Sequence, residues 1–215
     1  MRLRIYRGTR EIGGTCIELE SGRSRILLDL GLPLDAPDLA STPLPKIEGL
    51  REGSSTLLAI VLSHGHRDHW GLIPKVNHQI PLVMGRATES IIRAAADFVP
   101  DAVKLNAAQY LEHGKPIQLG PFTVLPRLVD HSGFDACAME VQADGKRLFY
   151  SGALISIAAP CHGRSIVRER STKVFGENLR ELVAEAATSA ASLQVPCSGF
   201  WRTPTPRILL QDHSD

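Results

Sequence analysis

The chain has 215 residues, 43% of them hydrophobic and 22% charged, which is the length of one sizeable core and the balance of an ordinary globular protein. A net charge of +1 excludes a strongly basic nucleic-acid binder, and no apolar run reaches the roughly 20 residues that cross a bilayer. The opening MRLRIYRGTREIGG shows no apolar stretch of the secretory kind, and Cys16, Cys137, Cys161 and Cys197 form no CxxC pair, so free thiols in a reducing cytoplasm are expected.

The first third reads as strands. RLRIY alternates, GTCIELE is β-prone, and SRILLDLG is a buried strand closing on Gly31. Ser21-Gly22 marks a hairpin turn between the last two. Residues 32 to 55, rich in proline, serine and glycine, read as a long surface loop. LLAIVL, 57 to 62, is an unbroken apolar run of strand length, as in a strand covered on both faces. PLVMG, 81 to 85, repeats that pattern in short form.

ATESIIRAAADFV, 87 to 99, predicts a helix with Ile91, Ile92, Ala95, Phe98 and Val99 on one face, stopping before Pro100. PIQLG and PFTVLPRLVDH are strand candidates. CAMEVQADGKRLFYSG predicts a hairpin turning at Asp144-Gly145, with Met139, Val141, Leu148 and Tyr150 in its arms. Strands paired as hairpins and then interleaved with helices predict a layered α/β sandwich. Beyond Gly152 the pattern changes. Phe175, Leu179, Leu182, Val183 and Ala186 predict a helix over about 174–190, and the end, CSGFWRTPTPRILLQDHSD, reads as irregular. The division expected is therefore 1–152 and 153–215.

Chemistry concentrates in LSHGHRDHWG, directly after the apolar strand at 57 to 62. His64 and His66 are two apart, so in extended backbone both imidazoles point the same way and can reach one ion. Asp68 and His69 follow a turn and can reach a neighbouring position. Imidazole and carboxylate suit zinc, with manganese or iron as alternatives. Two ions about 3.5–4 Å apart can polarise a phosphate or carbonyl oxygen. Trp70 is expected to pack against this loop. His78 and His113 read as surface or loop residues, and the run Arg164, Arg168, Arg170 and Lys173, with Glu169 inside it, as a solvated face.

His64-Gly65-His66-Arg67-Asp68-His69 resembles the HxHxDH motif of the metallo-β-lactamase-fold hydrolases. RGTREIGGTCIELESGRSRILLDLGLPLD and LVDHSGFDACAMEVQADGKRLFYSG narrow the resemblance to ribonuclease J-like and other β-CASP nucleases, over about residues 1–152. It implies an αββα sandwich, of which 1–152 would be the first half, followed by a divergent helical tail. It implies metal-dependent hydrolysis, in the nearest relatives phosphodiester cleavage in RNA. His64, His66 and His131 would hold the first ion, and Asp68 and His69 the second. Asp68 would also orient or deprotonate the water, and Asp29 would support the metal loop.

The resemblance breaks at Ala153. Relatives place there an aspartate that bridges both ions, and a methyl group cannot coordinate. A weakened or lost second site is expected. His162 and His213, the remaining histidines that could supply a ligand, read rather as surface residues, and Cys161 beside His162 reads as a plain thiol. The leading expectation is a cytoplasmic zinc-dependent or manganese-dependent hydrolase acting on RNA. The alternatives are an inactive metal-binding or interaction module and a thioester or lactone hydrolase. A half-sandwich would also leave an apolar sheet face uncovered, which predicts a homodimer.

Overall fold

The computed structural model of the chain describes residues 1–9, 11, 13–98 and 103–153, together with the backbone of 208–211. Two sheets pack face to face. The first has six strands in the order β1 (Arg2–Arg7), β2 (Cys16–Ser21), β3 (Ser24–Leu30), β4 (Leu57–Val61), β5 (Leu82–Met84) and β6 (Gln109–Tyr110). Its β1, β2 and β3 are antiparallel, whereas β3 through β6 run parallel. The second is antiparallel and holds β7 (Ile117–Leu119), β8 (Phe122–Leu128), β9 (Cys137–Ala143), β10 (Lys146–Tyr150) and β11 (Ile208–Gln211).

One apolar cluster lies between the sheets. Ile17, Leu19, Ile26, Leu28, Ala59 and Val61 from the first meet Phe122, Val124, Met139, Val141, Leu148 and Tyr150 from the second. The hairpin prediction holds in detail: Leu148 faces Val141, Tyr150 faces Met139, and Asp144 and Gly145 turn with φ of 53° and 69°. Since the two sheets cover each other, the expected bare sheet face is absent among the described residues. The reason for expecting a homodimer goes with it.

The other side of the first sheet carries a second cluster, in which Leu27, Leu30, Ile60 and Leu62 pack under Trp70, Leu72, Ile73 and Ile92. This layer contains α1 (Arg67–Trp70), a 3₁₀ turn at Ile73–Lys75 and α2 (Arg86–Ala95). The 32 to 55 segment is not the surface loop its composition suggests. It is irregular, but Leu32, Leu39, Leu44, Ile47 and Leu50 are buried in the same cluster. The Lys75 ammonium donates to the carbonyls of Leu39, Ala40 and Thr42 at 2.9, 3.0 and 2.6 Å, which uses all three of its protons. The loop thus takes the place of a helix over this face.

Two further readings change. In α2 only Thr88 and Ile92 are fully buried. Ile91 is exposed, and Phe98, beyond the end of the helix, is 87% exposed. The helix therefore docks along a narrow edge rather than along the broad stripe that periodicity suggested. Residues 208–211, expected to be irregular, form a strand antiparallel to β10, with Tyr150 opposite Ile208. Sheet pairing at an edge needs extended backbone and no helical or alternating signal strong enough to read beforehand. The helix over 174–190, Val99, Cys161, His162, Cys197, His213 and the basic run fall outside the described residues. Among the described residues no helix is long and apolar enough to cross a membrane.

Candidate metal centre

The parallel strands β3 and β4 end side by side, and the site stands on their C-terminal ends. Asp29, on β3, is fully buried and has φ of 58°. Its Oδ1 accepts the Ser63 backbone N–H at 2.7 Å. Its Oδ2 accepts from the Ser63 hydroxyl and from His69 Nδ1, both at 2.7 Å, and from the Tyr150 phenol. Four donors saturate this carboxylate.

That saturation sets the histidine protons. Because the Ser63 hydroxyl donates to Asp29, its oxygen accepts from His64 Nδ1, 3.0 Å away. His64 Nε2 is then left with its lone pair. His69 likewise donates from Nδ1 to Asp29, which leaves Nε2 facing the site. His66 turns Nδ1 inward and can donate from Nε2 to the Ser132 hydroxyl at 3.4 Å. Outer partners of this kind commonly orient metal-binding imidazoles.

The inward nitrogens form a triangle. His64 Nε2 lies 3.1 Å from His66 Nδ1 and 3.1 Å from His131 Nε2, and the last two are 3.0 Å apart. An imidazole nitrogen carries either a proton or a lone pair in the ring plane, so three of them cannot satisfy one another in a closed ring. A cation relieves the crowding. Tetrahedral nitrogen ligands about 2.0–2.1 Å from zinc lie about 3.3 Å from each other, close to the spacing found. Burial first, and the neighbouring histidines second, push the pKa of both His64 and His131 down, which keeps these rings neutral.

Beside the triangle, His64, Asp68 and His69 bring ligand atoms within 4.8 Å of one another. Asp68 Oδ2 is 3.5 Å from His69 Nε2. Burial works against a charged His69 ring, but Asp29 and then Asp68 outweigh it, and its pKa is raised. The position of Asp68 comes from backbone contacts. The Asp68 carbonyl accepts the Gly14 N–H at 2.9 Å, and a Cβ on Gly31 would meet that carbonyl oxygen at 1.7 Å. Trp70 packs as expected: it is buried and its Nε1 donates to the Gly65 carbonyl at 2.9 Å.

All six predicted site residues, Asp29, His64, His66, Asp68, His69 and His131, therefore converge. Sequence reasoning missed Ser63, the role of Tyr150 and Asp135. Ser63 directly precedes the motif, and a tyrosine in a core arm must find a partner for its hydroxyl. Asp135 offered no comparable signal. Ala153 follows Gly152, whose φ is 60° and where a Cβ would lie 3.2 Å from that of Ser63. The chain at Gly152 and Ala153 thus passes close to the residue before His64.

Residues 9–91 match the family model described as the metallo-beta-lactamase superfamily. Among solved structures, a protein of unknown function from Enterococcus faecalis V583 superposes with a TM-score of 0.57 at 24% identity, over 71% of this chain and 43% of its own. A metallo-beta-lactamase from Cronobacter sakazakii superposes with a TM-score of 0.53 at 22% identity, over 87% of this chain and 73% of its own. The chain has the metallo-β-lactamase fold.

In sequence it resembles the ribonucleases J. That of Mycoplasma genitalium is 28% identical over 156 residues, 70% of this chain and 27% of the relative. That of Corynebacterium glutamicum is 25% identical over 220 residues, 98% of this chain and 30% of the relative. An RNase J-like protein of Methanocaldococcus jannaschii reaches 33% over 72 residues, 34% of this chain and 15% of the relative. The chain thus spans less than a third of the length of these curated relatives.

Proposed function

We propose that this chain is a metal-dependent phosphodiester hydrolase acting on RNA, with one firm ion site and a weak second one. The observation that carries the proposal is the nitrogen triangle of His64, His66 and His131, with sides of 3.0 to 3.1 Å, next to Asp68 and His69. Zinc suits this donor set, and manganese is the alternative. A divalent ion supplies Lewis-acid polarisation of a phosphoryl oxygen.

The chain's own groups do the rest. Asp29 and Ser63 hold His64 and His69 in the tautomers that face inward. The Asp68 side chain is 20% exposed, so it can meet a water molecule entering from solvent, orient it and accept its proton. RNA as substrate rests on the resemblance to ribonucleases J. Residues 1–152 are taken to carry the site, with 153–215 contributing β11. Buried, reduced Cys16 and Cys137 agree with work in the cytoplasm.

Ala153 favours a second reading, in which the chain binds an ion but has lost hydrolysis and serves as an interaction module. Elemental analysis of protein purified without added metal, beside cleavage of an end-labelled single-stranded RNA, separates the two. One ion per chain, cleavage, and loss of both in His64→Ala support the hydrolase. One ion without cleavage supports the module, and a thioester or lactone panel then tests small-molecule hydrolysis. No bound ion in zinc-supplemented protein would sink both readings.

A further inference from the structure

His64 and His69 are each oriented by a hydrogen bond from the ring nitrogen that faces away from the site, and His66 has the Ser132 hydroxyl. His131 differs. Its Nδ1 is buried and has no hydrogen-bond partner among the described residues. No outer hydrogen bond orients this ring among the described residues. Beyond its contacts with His64 and His66, its position therefore depends on its backbone, and the backbone on whatever holds residues 129–137.

Beside the Ser132–His66 contact, the described residues show three that hold that turn in place. Val129 N–H donates to the Ala136 carbonyl at 2.9 Å and closes it, and Cys137 N–H donates to the Ser63 carbonyl at 2.9 Å. The third is the carboxylate of Asp135, which accepts the N–H of Ala87 at 2.6 Å, the N–H of Thr88 at 3.1 Å and the Thr88 hydroxyl at 2.5 Å. Helix α2 begins after Gly85, which has no side chain to cap it. Asp135 thus does from another segment what an N-cap side chain does locally, taking the second and third helical N–H groups. The fit is tight, because a Cβ on Gly85 would lie 2.2 Å from Asp135 Oδ2. Asp135 itself has φ of 47°, a left-handed conformation costly for a residue other than glycine.

We propose that Asp135 is the positioning residue for His131, fixing the third histidine of the triangle by clamping its turn to the first turn of α2. The proposal rests on the reading of His131 as a metal ligand. It also means that the start of α2 is already occupied by a carboxylate of the chain itself, so the helix dipole serves the site's geometry rather than an incoming phosphate.

The test is zinc affinity of the full chain, measured by competition with a chromophoric chelator. Asp135→Ala should weaken binding by about 10- to 100-fold, the usual range for loss of an orienting partner. Asp135→Asn should recover part of this, since an amide oxygen still accepts from the helix N–H groups. Glu89→Ala is the control. It removes a carboxylate on the same helix that binds Ala107 N–H and Tyr110, not the turn, and should leave affinity unchanged. Wild-type affinity in Asp135→Ala, or an equal loss in Glu89→Ala, would overturn the proposal. Amide hydrogen exchange in the metal-free protein gives a second readout. Residues 86–89 and 129–137 should speed up together in Asp135→Ala, and loosening of 86–89 alone would also overturn it. Failure of the wild-type chain to bind zinc would remove the metal reading, while the exchange result still decides whether Asp135 holds the turn.

Discussion

The phenol of Tyr150 donates to the carboxylate of Asp29, joining strands from the two sheets across 121 residues of sequence. Both side chains are fully buried. Burial first, then the charge of Asp29, raises the Tyr150 pKa far above its ordinary value, so the hydroxyl remains a donor. The floor of the candidate metal centre is thus fastened to the opposite sheet.

Removing that hydroxyl should cost stability without emptying the centre. Tyr150→Phe is expected to lower the unfolding free energy by about 1–3 kcal/mol, since it breaks a buried hydrogen bond to a charged group. Metal content should stay the same, because Asp29 keeps its bonds to Ser63 and His69. Asp29→Ala strips the partner from all of these donors and should cost more, about 3–5 kcal/mol, along with the metal. Urea unfolding paired with elemental analysis reads both; equal losses in the two variants would contradict the arrangement.

Ala153 gives the second prediction. If the second ion position lacks only its bridging carboxylate, Ala153→Asp should raise bound metal from one ion towards two per chain. Cleavage of RNA should rise with it, by an order of magnitude or more on the scale typical of a positioned catalytic group. An unchanged stoichiometry would mean that Asp68 and His69 lack more than this one ligand.

Two glycines separate crowding from backbone strain. Gly31→Ala would drive a methyl group into the Asp68 carbonyl, 1.7 Å away, whereas a Cβ on Gly22 meets nothing within 4 Å and bears only the strain of φ 59°. Gly22→Ala should cost about 1–2 kcal/mol, with metal affinity unchanged. Gly31→Ala should cost at least as much through overpacking and should weaken metal binding by shifting Asp68. Thermal melts together with zinc competition would show the difference.

The thiols give a prediction in pH. Burial, helped by Asp135, pushes Cys137 up to about 12, and burial raises Cys16 as well. Neither should react with iodoacetamide at pH 8 in the folded chain, while both should react in urea; peptide-resolved mass spectrometry distinguishes them from Cys161 and Cys197. An unfolded thiol loses its proton near 8.5, and the folded Cys137 keeps it. Its contribution to stability is therefore complete below about pH 8.5 and declines as pH climbs towards about 12.

Much of this fold could be read from periodicity. The apolar run at 57 to 62, the Asp144-Gly145 turn and the histidine spacing each reflect a local rule that the packed structure keeps. What escaped was tertiary. Leu39, Leu44 and Ile47 lie too far apart along an irregular segment to form any period, yet all three are buried because the loop folds back over the sheet. Phe98 fits a helical stripe on paper but comes after the helix has ended. The site shows the same division. His64, His66, Asp68 and His69 are neighbours in sequence, whereas Asp135 and Gly85 are 50 positions apart and reveal their link only as a missing Cβ.

Strand β11 decides what kind of boundary the second sheet has. With Ile208–Gln211 paired along Arg147–Tyr150, β10 is an interior strand and its outward N–H and C=O groups are used. A chain cut before residue 208 would leave β10 as an open edge, holding Leu148 and Phe149 in an extended run. Such edges recruit strands from other molecules. With β11 in place the open edge passes to a run of four residues instead of the five of β10, and a shorter edge is a poorer template for a foreign strand.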